Sequence, residues 1–180
     1  MKKIYFVRHG ESRWNVEDKI CGRTDVELTE KGHEQAVSTG EEVLRLGIKA
    51  DMILCSPLKR AQDTASHICK VTGIPMRVED RLIEQSFGKY EGTSPRNSAV
   101  FTAAKKDFLC SYEGGESMMR LGQRIYNLLD ELKADDKVYI LVAHNGIARV
   151  VKSYFEDMTN DEYAAFGVKN CSITEFIFDR

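Results

Sequence analysis

Apolar residues along the chain fall into two rhythms, short unbroken runs and stripes spaced three and four apart, and the two alternate. The runs are Ile4-Tyr5-Phe6-Val7, Asp51 to Cys55 (DMILC) and Lys137 to Ala143 (KVYILVA). Unbroken runs of this length are the pattern of strands buried on both faces of a parallel sheet. Pro75 to Val78 reads as a short edge strand. Cys171 to Phe178, with partial alternation, reads as a last strand near a sheet edge.

The stripes predict helices. Thr29 is placed as the N-cap of a helix running to about Leu46, with Ala36, Gly40, Val43 and Leu44 on one face and Gly47 as its stop. Ser56-Pro57 has the form of an N-cap followed by proline at the first helical position, opening a helix to about Thr72 that Gly73 ends. Between Glu116 and Lys133, Leu121, Ile125, Leu128, Leu129 and Leu132 share a face. Ile147, Val150, Val151, Tyr154 and Phe155 do the same after Ala143, and Asn160 to Ala165 predicts a short polar helix. Strands alternating with helices in this way predict an α/β protein with a mostly parallel central sheet flanked by helices. The rhythm weakens from Glu91 to Glu116, where Gly92, Pro95 and Gly114-Gly115 bracket a moderately helical piece over 97–109. An excursion of that length between sheet-forming regions is typical of a lid or specificity loop.

Length narrows the organisation to one domain over 1–180, large enough to bury a core without staples. Apolar content of 42% with 30% charged residues belongs to an ordinary globular chain. The net charge of −2 argues against a nucleic-acid partner, which would need clustered Lys and Arg. Any anion must be attracted locally. The cysteines at 21, 55, 69, 110 and 171 form no Cys-x-x-Cys pair and read mostly as small buried hydrophobes in a reducing compartment. The apolar run before Arg8 is too short for a signal peptide, and no later stretch is long enough to span a bilayer. The cytoplasm is the expected location, with no membrane partner.

Chemistry gathers where the runs stop. Arg8-His9-Gly10-Glu11 follows the first strand, Arg60 lies in the first turn of the helix after the second, and His144-Asn145-Gly146 follows the strand at Lys137 to Ala143. Parallel strands bring their carboxyl ends to one edge of a sheet, so these distant residues converge there. Two arginines and two histidines make a site for a doubly charged oxyanion. A charge-assisted hydrogen bond is worth roughly 1.5 to 3 kcal/mol, so several hold phosphate without a metal. His33 and His67 read as ordinary helix residues, and no His-x-x-x-His or cysteine cluster has metal-ligand spacing. Neither metal nor cofactor is expected.

Arg-His-Gly-Glu-Ser with Trp14 and Asn15 resembles the signature of the histidine phosphatase superfamily, the phosphoglycerate mutase-like proteins. The resemblance continues in order through Gly22-Arg23-Thr24-Asp25, Leu28-Thr29, Ser56 to Ala65, Leu82-Ile83-Glu84, Phe87-Gly88, Glu91-Gly92 and Val142 to Gly146. It implies a three-layer α/β/α fold and a set of roles. His9 would be the nucleophile, giving a phosphohistidine, while Arg8, Arg60 and His144 clamp the phosphoryl oxygens. Asn15 would be a further phosphate ligand, the backbone near Gly22 would close the pocket, and Glu84 would be the proton donor. An acid protonated near neutral pH needs a raised pKa, which a bound phosphate dianion would supply. Asn145 departs from the family, standing where many members carry Gly, and alters the pocket wall beside His144.

The same residues serve a phosphatase or a mutase. Mutases of the family are longer around the acid, whereas Leu82 to Gly92 resembles the Leu-x-Glu-x-x-Phe-Gly-x-x-Glu-Gly form of the phosphatase branch. A phosphomonoesterase acting on a small phosphate ester is the favoured reading, a phosphoglycerate mutase the alternative, and a silent phosphate-binding regulatory domain a third. Arg13, Arg23, Lys89, Arg96, Lys105 and Lys106 are either solvated or available to a second acidic group on the substrate.

Overall fold

The computed structural model describes residues 2–97 and 99–178. Its sheet has the order β3-β2-β4-β1-β5, with β1 at Lys3–Arg8, β2 at Met52–Cys55, β3 at Met76–Val78, β4 at Tyr139–Ala143 and β5 at Ile173–Ile177. The first four are mutually parallel, and β5 runs antiparallel along the free edge of β1. Two of the unbroken apolar runs, β1 and β4, lie side by side, with β4 at the centre. Burial on both faces selects continuous Val, Ile, Leu and aromatic runs there.

Successive side chains on a strand point to opposite faces, so each central strand feeds two cores. Ile4, Phe6, Leu54, Leu141 and Ala143 pack on one face with α5 (Met118–Ala134) and α6 (Asn145–Phe155). Tyr5, Val7, Ile53, Cys55, Ile140 and Val142 pack on the other with α2 (Glu30–Arg45) and α3 (Lys59–Thr72). The result is the three-layer α/β/α arrangement. All five leucine and isoleucine positions read onto the face of α5 are buried, and α7 (Asn160–Ala165) has the bounds its polar pattern predicts. Among the described residues no helix is long and apolar enough to cross a membrane.

The structure departs from several local expectations. α3 begins at Lys59 with Leu58 as an N-cap that offers no side-chain bond, because the Ser56 hydroxyl is drawn into the protein instead. Leu44 is 56% exposed, since the stripe that α2 buries runs through Gly32, Ala36, Thr39, Gly40 and Val43 and leaves the adjacent position outside. The piece read over 97–109 contracts to α4 (Ala99–Ala104), preceded by a 3-10 turn at Pro95–Asn97; Ser98 lies outside the described residues. Only Cys55 of the five cysteines is buried; the others are half-buried, and all are free.

The 91–116 excursion holds a small core of its own. Phe101, Ala104 and Tyr112 pack with Ile20 and Phe87. The Phe87 ring meets Phe101 and Tyr112 edge-on at centroid distances of 5.4 and 5.2 Å, a favoured aromatic geometry. This cluster fixes the excursion beside the carboxyl edge of the sheet.

Candidate active site

The parallel ladder runs past the strand ends, and that extension sets the site. The His9 N–H donates to the Ala143 carbonyl at 2.9 Å and the Ser56 N–H to the Val142 carbonyl at 3.0 Å. Three chain segments are thereby locked in register at the edge where His9, Ser56 and His144 leave the sheet. The rings of His9 and His144 come within 5.2 Å, centroid to centroid. The loop after β1 is pressed against the first turn of α2: a Cβ on Gly10 would lie 2.4 Å from the Gly32 carbonyl oxygen, so only glycine fits.

His9 is 4% exposed and its Nδ1 lies 2.7 Å from the Gly10 carbonyl oxygen. A carbonyl only accepts, so Nδ1 carries the proton and Nε2 keeps the lone pair. Burial pushes the His9 pKa well below the ordinary histidine value, and the cations of Arg60 and Arg8 push it further. The ring is neutral, with a free nucleophilic nitrogen.

Arg60 is 1% exposed; its Nη1 and Nη2 donate to the carbonyls of Thr24 and Gly22 at 2.9 and 2.7 Å. Gly22 therefore enters the site through its carbonyl, as the anchor of Arg60. The 20s loop that supplies these carbonyls is held by Glu91, which accepts the N–H groups of Arg23 and Thr24 at 3.0 and 2.8 Å. Arg8 donates from Nη1 to the Val168 carbonyl at 2.7 Å. Arg8 Nε, Arg60 Nε and His144 Nδ1 are buried with no partner among the described residues. Buried polar atoms are nearly always hydrogen-bonded, so these groups at one sheet edge are available to a polar ligand.

His144 is also buried and neutral, pushed down first by burial and then by Arg60. Its Nε2 lies 2.7 Å from Ser56 Oγ. Asn15 Oδ1 already takes the Ser12 N–H at 3.0 Å and the Asn170 amide at 3.3 Å, so its own two N–H donors are what it has left for a ligand. Asn145 lines the pocket and accepts the Val168 N–H at 2.9 Å, tying the head of α6 to the segment before β5.

Glu84 is 4% exposed, with Oε1 accepting the Gln85 N–H at 2.8 Å and Oε2 the Gly146 N–H at 3.0 Å. Burial raises its pKa, against the pull of those two N–H groups and of Arg60. Sequence reasoning assigned the rise to a bound dianion; exclusion from water produces it in the free protein. Gly146 matters here, because a Cβ at that position would lie 2.4 Å from Glu84 Oε1.

Arg8, His9, Asn15, Glu84, Asn145 and Gly146 face one cavity of about 350 Å³. Sequence reasoning missed Ser56, whose buried hydroxyl looked like a helix cap, and Asn170, whose amide donates to the His9 carbonyl at 2.8 Å. It also missed Arg149, which lines the pocket from α6. An arginine beside the apolar stripe of α6 was the available signal for Arg149; nothing local marks Asn170. His33 and His67 do more than sit on helices: Nδ1 of one lies 3.0 Å from Nε2 of the other, joining α2 to α3.

Fold and site together define an α/β protein with a pocket at the carboxyl edge of its sheet that is lined by arginine, histidine and a buried carboxyl group. The chain belongs to the histidine phosphatase superfamily, branch 1, whose family model matches residues 4–180. It is similar to glucosyl-3-phosphoglycerate phosphatase of Mycobacterium tuberculosis, with 29% identity over 97% of this chain and 84% of that protein. Similarity extends to 2,3-bisphosphoglycerate-dependent phosphoglycerate mutase of Bartonella tribocorum, with 27% identity over 89% of this chain and 84% of that one. A solved structure of phosphoserine phosphatase from Entamoeba histolytica, in complex with 3-phosphoglyceric acid, matches with a TM-score of 0.84 and 28% identity, covering 99% of this chain and 91% of that chain. These likenesses bear out the resemblance read from the motifs and place the chain among phosphatase and mutase enzymes.

Proposed function

We propose that this protein is a metal-independent phosphomonoesterase that hydrolyses a small phosphorylated metabolite through a phosphohistidine on His9. The observation that carries the reading is the state of His9: buried, neutral, protonated on Nδ1 and accompanied by polar atoms of Arg8, Arg60 and His144 that have no partner among the described residues. The phosphatases among its relatives act on small phosphate esters by name, and the phosphatase-like form of Leu82 to Gly92 favours hydrolysis over the isomerisation of its mutase relatives.

In the first step His9 Nε2 attacks phosphorus and the bond to the ester oxygen breaks. The leaving alkoxide takes the proton that Glu84 holds. Arg8, Arg60, Asn15 and His144 donate to the phosphoryl oxygens as charge shifts toward them, the electrostatic part of phosphoryl transfer. In the second step water attacks the phosphohistidine, Glu84 takes a proton from that water, and the P–N bond breaks to release phosphate and neutral His9. Segment 91–116 acts as the lid or specificity loop of a single domain, since Pro95, Phe101 and Lys105 from it wall the pocket. The cytoplasm suits five free cysteines, the state a reducing compartment maintains.

The test is a rapid-mixing assay of EDTA-treated protein with p-nitrophenyl phosphate. A stoichiometric burst of p-nitrophenol, a base-stable and acid-labile phosphoprotein, and loss of both in His9→Ala are the expected results. Turnover that survives His9→Ala overturns the nucleophile assignment. Isomerised phosphoglycerate without released phosphate overturns the hydrolase in favour of a mutase.

A further inference from the structure

Among the cations that sequence reasoning offered to a second acidic group, five are already spent. Arg13 pairs with Glu27 at 3.6 Å, Arg23 with Glu116 at 3.2 Å, Arg96 with Asp18 at 2.7 Å, Lys106 with Asp161 at 2.6 Å, and Lys89 with Glu113. Lys19, on the pocket wall, is taken by Glu17 at 2.6 Å. Lys105 differs from all of them. It is half-buried, its ammonium sits 5.0 Å from the centre of the Phe101 ring, and no carboxylate among the described residues lies within ion-pair distance. Arg149 is in the same position. Its Nε donates to the Phe166 carbonyl at 2.7 Å, which fixes the guanidinium, and it too has no acidic partner among the described residues.

Both residues line the cavity that holds His9 and Glu84. Cations withdrawn from water without a counter-charge are costly, and proteins tolerate them where a ligand supplies that charge. Neither belongs to the set that grips the transferred phosphoryl group. We propose that Lys105 and Arg149 form a second anion subsite, so that the substrate is a small phosphomonoester carrying another anionic group, a carboxylate or a further phosphate. The proposal rests on the phosphomonoesterase reading and narrows it. Burial and the nearby Arg149 charge hold the Lys105 ammonium below its ordinary pKa, the state that an arriving anion relieves. The guanidinium of Arg149 offers a planar fork that matches a carboxylate or phosphate edge, and Lys105 adds a point charge. Ile20, Phe87 and Phe101 add apolar lining to the same cavity, which favours a compact body between the two anionic ends.

The test compares 3-phosphoglycerate with glycerol 3-phosphate, which replaces the carboxylate by a hydroxymethyl group, and adds fructose 1,6-bisphosphate as the phosphate arm. At least a tenfold higher kcat/KM is expected for one of the doubly anionic esters over glycerol 3-phosphate. Lys105→Met should shrink that ratio tenfold or more, mainly through KM, and Lys105→Arg should restore it. Lys105 is the cleaner site, because its side chain donates no hydrogen bond among the described residues; Arg149→Lys is the second variant. A ratio near one for both doubly anionic esters, or a ratio that neither variant changes, overturns the subsite. If no ester is hydrolysed, p-nitrophenyl phosphate included, the phosphatase reading fails separately. The subsite is then judged by calorimetry of 3-phosphoglycerate and fructose 1,6-bisphosphate with His9→Ala protein: tighter binding of either than of glycerol 3-phosphate must be present and must be lost in the Lys105→Met double variant.

Discussion

Ser56 Oγ lies 2.7 Å from His144 Nε2, although the two residues are 88 positions apart in the chain. Ser56 Oγ also takes the Leu58 N–H at 3.3 Å, and its own proton can be given to His144 Nε2. In that tautomer the Nδ1 of His144, buried and without a partner among the described residues, is the N–H that donates to an anion. Ser56 is expected to act as a positioning residue that selects the tautomer of its neighbour, as the partner of one imidazole nitrogen does for the other.

Ser56→Ala removes that selection. Turnover is expected to fall by about tenfold to a hundredfold, with KM changed less, in line with roughly 1 to 3 kcal/mol for a buried partner left unsatisfied. The transition state gains more from a donated N–H than the ground state does. A variant with unchanged kcat would show that His144 keeps the required tautomer unaided.

Glu84→Gln keeps the size of the side chain and removes the transferable proton. Glycerol phosphate hydrolysis should drop by roughly 10² to 10⁴, and p-nitrophenyl phosphate hydrolysis far less, because that leaving group needs little protonation. Equal losses on both esters, measured as kcat, would argue against the acid role.

Gly146→Ala tests how the acid is held. Its Cβ would sit 2.4 Å from Glu84 Oε1, so the carboxyl must shift from the Gly146 N–H. A stability loss of about 1 to 3 kcal/mol is expected from the forced contact. The ratio of alkyl to aryl phosphate turnover should fall in the same direction as for Glu84→Gln. Denaturant titration and the two-substrate assay read both effects.

The buried histidines make stability depend on pH. His9 and His144 are held well below the ordinary value of 6.5, so the unfolded chain takes up protons that the folded one refuses as pH falls through 6.5. Stability therefore falls below that pH, each proton adding about 1.4 kcal/mol per pH unit. Glu84 acts with the opposite sign: its raised pKa makes stability fall as pH rises above its ordinary 4.5. Two histidines outweigh one acid between these values. Urea midpoints of the wild type at pH 7 and pH 5 should show lower stability at pH 5. His144→Gln should flatten the dependence by about one proton, and an unchanged slope would mean that His144 is not held neutral.

How far the chain could be read in advance differs by element. β1, β4 and the buried face of α5 were legible because their side chains meet a single environment over many residues, and a long repeated signal outweighs local noise. The start of α3 was not, since Ser56-Pro57 carries the local mark of a helix cap while its hydroxyl is bound by a histidine from another strand. α4 was overestimated for a related reason. Its stretch is shaped by the aromatic cluster of Phe87, Phe101 and Tyr112, two of whose members come from turns outside the helix.

The sequence by itself determined the alternation of strands and helices, the family, and the placing of Arg8, His9, Arg60 and His144 at strand ends. Those features are written in residue order, where backbone periodicity and short motifs act. Only the tertiary structure decided which nitrogen of His9 bears the proton, why the Glu84 carboxyl titrates above its ordinary range without a ligand, which polar groups lack partners among the described residues, and that Lys105 and Arg149 share a pocket with His9 and Glu84. Such properties depend on exclusion of water and on distances between segments remote in the chain, and packing alone creates both.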